Sequence, residues 1–481
     1  MAVAKKHLWL AASCLYLSAC SLAPHYQAPQ APMAAQFKGA GIWQPAQPSD
    51  NGPHGAWWKL YGDSQLDQLE QQVIKANETL AAAVAHYDQQ QDISREIDAS
   101  LYPTVTVGAA MSRNRQSDHR PQRAIPGNEP NVYNADILGL GIDYEVDLWG
   151  RVHNEVAAGR AEAQAAAADL QSVQLSLQAQ LADDYMQLRG LDAQKQLLDD
   201  TVDAFTKALT LTQARHDGGV SSGLDVSRAQ NRLASAQAEV YDVLALRALY
   251  EHAIAVLVGA NPSSFSIAAD SKPLPIPQIT GMLPSQLLQR RPDIAAAERR
   301  VAAANAYIGV ARAAYFPQIN LNPFAGYANT SADEWLTAPN TFWSLGPSAL
   351  WTLFDAGRIK AQVAQSKAQY AEQTARYRGL VLDAFRQVED ALSRLHQFAD
   401  ESRRREQAAR AAEHTETLAM ARYREGIVNY LEVVTAQTDA LRAERASLNL
   451  STRRLRASVE LVRALGGGWS RQDDKTVGHG A

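Results

Sequence analysis

The apolar positions of this chain follow two periods, and each period occurs twice. Leu138, Leu140, Ile142, Tyr144, Val146 and Leu148 alternate with Gly139, Gly141, Asp143, Glu145 and Asp147. A period of two held this long predicts a strand with one apolar face and one glycine or acidic face. That is the pattern of a barrel strand tilted across a bilayer. A soluble sheet strand with one buried face gives the same pattern, so both readings stand on this segment alone. Pro103 to Met111 predicts the partner strand, opening with a proline where a strand start tolerates one. The polar stretch from Arg113 to Asn134 supplies a long loop between them. Ile319 to Asn329 and Trp343 to Leu353 predict a second pair.

After each strand pair the period changes to that of a helix. Leu170, Val173, Leu177, Leu181, Tyr185, Leu188 and Leu191 recur at intervals of three or four, and Leu198, Val202, Phe205 and Leu209 continue the stripe. This is coiled-coil-like spacing. No proline interrupts Arg151 to His216 or Arg358 to Arg424, so each segment predicts a helix roughly 100 Å long at the usual rise. Asp217-Gly218-Gly219 and Glu425-Gly426 break the two helices. A returning helix follows each break, to about Val258 and Leu465, where Gly259 and Gly466-Gly467-Gly468 read as C-terminal caps.

The two copies match without a gap. Gly150-Arg151-Val152 recurs as Gly357-Arg358-Ile359, an offset of 207 residues. At that offset Arg215 meets Arg422, Gly219-Val220 meets Gly426-Ile427, and Ala229-Gln230 meets Ala436-Gln437. One inserted residue would turn everything after it by about 100°, so the long helices of both copies must present the same faces. The strand pairs keep a different offset: Tyr315-Phe316-Pro317 answers Leu101-Tyr102-Pro103 at 214. The first hairpin is therefore seven residues longer, and length variation belongs in loops.

The organisation follows. Residues 1–19 form a signal peptide and residues 20–65 an extended arm rich in Pro, Gln, Ala and Gly. The first repeat is 66–260, with its hairpin at 103–148 and its turn at 217–224. A Pro-rich linker covers 261–284. The second repeat is 285–466, with its hairpin at 317–354 and its turn at 425–431, and a tail covers 467–481. The signal has Lys5 and Lys6 before a short apolar core, Leu8 to Leu17, too short to span a bilayer. Leu17-Ser18-Ala19-Cys20 resembles the lipobox of bacterial lipoproteins, in which the Cys becomes the lipidated first residue. Ser21 fits sorting to the outer membrane. Cys14 lies within the signal, so the mature chain holds no intramolecular disulfide. A net charge of -5 excludes a basic nucleic-acid surface.

Two copies give four strands, and an open sheet edge cannot stand in hydrocarbon. Membrane strands would therefore have to be pooled from several chains. Two chains would fill an eight-stranded barrel with side chains, whereas three would give twelve strands and room for a lumen.

With these segments in place, the chain resembles the outer-membrane factors of bacterial tripartite efflux, of the TolC, OprM and NodT type. Trp57-Trp58 with Asp63, Leu66 and Leu69 looks like the family's N-terminal motif. The stretch from Leu287 to Ile294, with Ala296-Ala297-Glu298, is similar to its mid-chain signature. Tyr144 to Arg151 and Leu353 to Arg358 look like its strand-to-helix junctions, and Leu465 to Trp469 like its end. The resemblance covers nearly everything after the signal. It implies a mainly α fold with a membrane β-barrel: a homotrimer with four barrel strands per chain, a twelve-stranded barrel and a periplasmic tunnel of long coiled helices. It implies partners too, a periplasmic adaptor (membrane fusion protein) and an inner-membrane pump, with outer-membrane lipid held through acylated Cys20.

The same resemblance implies site residues. The tunnel closes just past the second glycine turn, where Leu431 and Glu432 are the candidates for the constriction. Thr435 departs from an acid that many members carry, which weakens a two-tier acidic gate. Asp225 is the first-copy counterpart of Glu432. For each acid the plain alternative is a first-turn carboxylate favoured by the helix dipole. Gly219, Val220, Gly426 and Ile427 match the adaptor-contact tips, or are simple helix-to-helix turns. No cofactor and no metal site are expected, since the His residues show no ligand spacing. Gly219-Val220-Ser221-Ser222-Gly223 matches a hydrolase string, but that chemistry needs a strand before the Ser, and the chain reads as no enzyme. Two alternatives remain open: a periplasmic coiled-coil lipoprotein with a structural or adaptor role and no pore, and a type I secretion outer-membrane channel.

Overall fold

The computed structural model describes residues 21–31, 37, 56–117, 132–277, 291–330 and 335–467. The signal peptide, Cys20, the Leu287 to Arg290 part of the mid-chain signature and the end of the chain from Gly468 lie outside the described residues. In chain order the elements begin with a 3-10 turn at Trp57–Tyr61, α1 (Ser64–Ala76), α2 (Glu78–Ala99), β1 (Thr104–Arg115) and β2 (Val132–Glu145). Then come α3 (Arg151–Asp217), α4 (Gly223–Leu257), α5 (Pro292–Ala313), β3 (Gln318–Leu321) and β4 (Phe324–Asn329). The chain closes with β5 (Thr341–Ser344), β6 (Pro347–Leu350), α6 (Arg358–Arg424) and α7 (Tyr430–Ala464).

The duplication is kept to the residue in the helices. α3 and α6 have 67 residues each, and α4 and α7 have 35 each. Compactness divides the chain differently from sequence. One unit draws its described residues from 1–29, 88–165 and 297–376, and so joins the strands of both copies. The other draws them from 30–87, 166–296 and 377–481.

In the first unit all strands run antiparallel, in the order β1, β2, then β4 and β3, then β5 and β6. The two expected strands of the second copy are each broken. One breaks at Asn322-Pro323 and the other at Leu345-Gly346, so four strand paths carry six segments. Pro323 has no N–H for the ladder, yet its carbonyl accepts from Ile142 N at 3.0 Å and holds the register. β2 stops at Glu145 rather than Leu148, because the Asp147 carboxylate turns to the backbone N–H of His153 at 2.8 Å. The helix start there wins over the strand end.

Register sets the faces. Val107, Leu140, Ala325 and Trp343 form one transverse row, all on the apolar side. The neighbouring row, on the opposite face, is Gly108, Gly139, Gly326 and Phe342. The Phe324 ring lies over Gly139 and meets Phe342 with centroids 5.3 Å apart. The face expected to be polar thus carries an aromatic pair seated on glycines.

The arm is held along α5 in the same unit. Arg312 Nη1 donates to the Leu22 carbonyl at 3.0 Å, Asn305 Nδ2 to that of Pro24 at 2.7 Å, and the Tyr26 hydroxyl to Glu298 at 2.6 Å. Positions 298, 305 and 312 are seven apart, nearly two turns, so they share one stripe of the helix.

The core of the second unit explains the N-terminal motif. Trp57, Trp58, Tyr61, Leu66 and Leu69 are buried against α3 and α7, through residues such as Tyr185 and Val459. Asp63 caps α1, accepting from Gln65 N and Leu66 N. Its other oxygen accepts from Tyr185 Oη at 2.9 Å and from Arg189 Nη1 at 2.7 Å. Glu70 on α1 is fully buried, and neither of its carboxylate oxygens has a hydrogen-bond partner among the described residues. Burial, with the nearby Asp67 charge second, pushes its pKa from 4.5 to about 9. The unfolded chain therefore releases this proton at a lower pH than the folded one. Stability from the group is complete below about pH 4.5 and is lost as pH rises towards 9. Glu70→Gln is expected to raise the thermal midpoint at pH 8 and to leave it nearly unchanged at pH 4. Melting curves at the two pH values check this, and a gain larger at pH 4 would refute it.

Candidate functional site

Two places join local sequence to a possible job: the strand-to-helix junctions and the helix tips. At the first junction Arg151 makes a bidentate pair with Glu145, at 2.8 and 2.7 Å, and reaches Glu155 one turn on. At the second, Asp355 accepts from Gly357 N and Ile359 N and caps α6. Each long helix thus starts under a carboxylate, which satisfies its free N–H groups and suits its dipole. Aromatics gather at the same level. Trp149 stacks on Phe316 with centroids 4.6 Å apart and donates its indole N–H to the Pro317 carbonyl. Trp351 donates to the Tyr315 carbonyl at 3.1 Å. An apolar ring with a satisfied N–H is what a membrane–water boundary selects.

At the tips, Gly219 and Gly426 sit at φ 75° and 78°, the left-handed region that glycine enters without penalty. Val220 N and Ile427 N then bond back to Arg215 O and Arg422 O. The two turns are the same structure, and both push an apolar residue outward: Val220 is 68% exposed and Ile427 60%.

The copies differ just beside the turns. Tyr423 and Tyr430 occupy the positions of His216 and Gly223, and both are buried in one cluster with Ala229, Val433 and Val434. Their rings lie 5.4 Å apart. Arg215 of the first copy lies over the Tyr423 ring at 4.7 Å and donates to the Tyr423 carbonyl at 2.8 Å. The Tyr423 hydroxyl donates to Thr212 Oγ1. This latch between copies was not read from the sequence. Its traces were the exchanges of His216 for Tyr423 and of Gly223 for Tyr430 at matching positions.

The sequence candidates fall as follows. Leu431 and Glu432 are exposed on the first turn of α7, where Asn429 caps the Glu432 N–H. Thr435 donates its hydroxyl to the Leu431 carbonyl. Asp225 completes a capping box with Ser222, so its carboxylate is engaged in starting α4. Ser221 lies in a turn between two helices and donates to the Thr212 carbonyl, a setting unlike a nucleophile elbow. Cys20 is outside the described residues. Among the described residues no helix is long and apolar enough to cross a membrane.

Comparison with known proteins places this architecture. Residues 69–260 and 283–467 match the family described as outer membrane efflux protein, and the chain belongs to it. The antibiotic efflux pump outer membrane protein ArpC of Pseudomonas putida is 32% identical over 476 residues, covering 97% of this chain and 96% of ArpC. Outer membrane protein OprJ of Pseudomonas aeruginosa is 31% identical, covering 95% and 94%. Among solved structures, the outer-membrane channel OprN is similar with a TM-score of 0.84 at 32% identity, covering 94% of this chain and all of OprN. The open-state MtrE channel of Neisseria gonorrhoeae gives 0.83 at 26%, covering 94% and 99%. The chain is an outer-membrane efflux channel of a tripartite pump, reaching into the periplasm and working with an adaptor and an inner-membrane pump. The family is one of transport channels, not of enzymes. The pore-free lipoprotein alternative is thereby overturned.

Proposed function

We propose that the chain acts as a homotrimer, anchored through acylated Cys20, whose pooled strands form a twelve-stranded barrel and whose helices form a tunnel closed at its tip. The observation that carries this is the sheet itself. Among the described residues β1 and the β5–β6 path each pair on one side only, and the apolar face stands open, with Val107 71% and Trp343 77% exposed. In hydrocarbon such edges must be paired, and further copies of the same sheet are the partners that close it. Solutes then pass without covalent chemistry, and small organic compounds such as antibiotics are the cargo. The name of the antibiotic efflux pump relative ArpC supports that reading.

Leu431 and Glu432 restrict the tip, with Thr435 above them and Asp225 in a supporting capping role. Gly219, Val220, Gly426 and Ile427 meet the adaptor. Three Glu432 carboxylates around one axis would favour cations. The double substitution Leu431→Ala with Glu432→Ala is expected to raise single-channel conductance in planar bilayers severalfold and to weaken cation preference. An assembled trimer whose conductance and selectivity match the native channel would remove these two residues from the gate. A native chain that never conducts would remove the conduit reading.

A further inference from the structure

Above the tips, α3, α4 and α7 enclose an open cavity of about 390 Å³. That volume is usual for a small-molecule site. Ion pairs fix the heights of its lining. Arg445 of α7 pairs with Glu239 of α4, so the two return helices, which both run away from the tips, are level there. Arg442 then lies about 4.5 Å nearer the tip and Arg232 about 10 Å nearer, at the helical rise. These two arginines are therefore about 6 Å apart along the axes, close enough for their long side chains to meet over one small group. Arg247 of α4 pairs with Asp192 of α3 at 2.6 Å, and this register sets Phe205 at the height between them.

One positive charge in the cavity is unmatched. Arg445 holds Glu239, and Arg442 reaches Asp439 at 3.5 Å. Towards the tip, Asp225 pairs with Arg228. No acid among the described residues pairs with Arg232. Beside the guanidinium groups the wall is apolar and closed. Phe205 is 6% exposed and Ala236 3%, and Leu441 packs on the cluster of Leu191, Leu198 and Val243. The duplication does not account for this set. At the offset of 207, Arg232 answers Asp439, Arg442 answers Ser235, Arg445 answers Ala238 and Phe205 answers Ala412. The register of the helices is shared by both copies, but the guanidinium groups and the ring stand in one place only.

We propose that this cavity binds a monoanionic aromatic solute, its carboxylate held between Arg232 and Arg442 and its ring laid on Phe205 and Leu441. Guanidinium forks match a carboxylate in shape and charge, and the buried ring offers a face or an edge to a second one. The ligand would bridge α4 of the first copy and α7 of the second, and would stabilise that packing by mass action. A fused two-ring acid suits a cavity of this size, which makes 2-naphthoate the probe.

Titration calorimetry on the assembled channel in detergent tests this, with probe uptake by empty micelles subtracted. Acetate supplies the charge without the ring, and 2-naphthylmethylamine the ring with the opposite charge. 2-Naphthoate is expected to bind at least tenfold more tightly than either. Arg232→Gln should lose about tenfold, while Arg95→Gln on α2, outside the cavity, leaves binding unchanged. Equal affinity for the three probes overturns the proposal, and so does unaltered binding to Arg232→Gln. Absence of any binding to the native assembly overturns it too, the result expected if a neighbouring copy fills the cavity. Should Arg232→Gln fail to assemble, Arg442→Gln decides in its place, since that side chain is 76% exposed and its loss leaves the packing intact. The readout is binding, so it is independent of whether the channel conducts or how its tip opens.

Discussion

Gly326→Val is expected to yield almost no assembled channel. A Cβ at Gly326 would lie 2.1 Å from the Leu138 carbonyl oxygen and 2.6 Å from Gly139 Cα. Both are backbone atoms of β2, so no side chain can swing aside. Overpacking that forces side-chain and backbone shifts costs about 1–3 kcal/mol, occasionally more; here only the strand itself can move, so the cost lies at the upper end of that range or beyond. β4 carries β5 with it, and the sheet would lose the edge that the proposed assembly pairs with another copy. The measurement is the amount of assembled oligomer recovered from outer membranes. Gly108→Val is the control: it lies in the same transverse row, and nothing stands within 4 Å of its Cβ position. If both variants assemble equally well, the close approach of β4 to β2 does not matter.

Asp63→Ala is expected to cost about 3–5 kcal/mol, the usual penalty for removing one partner of a buried pair. The Asp63 and Arg189 side chains are 8% and 6% exposed, and Arg189 would be left facing its gap. The α1 cap goes as well, a further loss of about 1 kcal/mol. Asp270 still pairs with Arg189 at 3.1 Å, but it is more exposed and softens the loss only in part. Asp63→Asn keeps the cap acceptor and should fall less. The comparison is the unfolding midpoint in detergent beside Asp92→Ala, which breaks an exposed pair with Arg95. Losses of similar size at the two sites would show that the buried pair contributes nothing special.

The helices were legible in the sequence because their constraint is linear. A stripe in a long helix tolerates no insertion, so Arg151 and Arg358, or Asp217 and Arg424, announce their kinship by spacing alone. The strand faces were legible for the same reason: Leu138, Leu140 and Ile142 alternate whatever lies beside them. The breaks were harder. Pro323 and Gly346 stood in plain view, but a continuous apolar alternation around them read as unbroken strand. Long-range pairings were not legible at all. Asp63 meets Arg189 across 126 positions, and Arg215 meets Tyr423 across 208. Each residue has many possible partners until the helices are packed. Asp225 shows the reverse case, where the plain first-turn reading describes what its carboxylate touches.

The equal lengths of α3 and α6 carry a last consequence. Arg215 near the end of α3 touches Tyr423 near the end of α6, so the two turns finish level. Removing one heptad from α3 alone would keep its stripe almost in phase, yet leave Val220 about 10 Å short of Ile427. In the proposed trimer the rim would become stepped, high and low by turns, and a flat collar could no longer seat on it. Shortening is tolerable only when both copies change together. For this chain, height is an inherited measure held jointly by two halves, and neither can drift without the other.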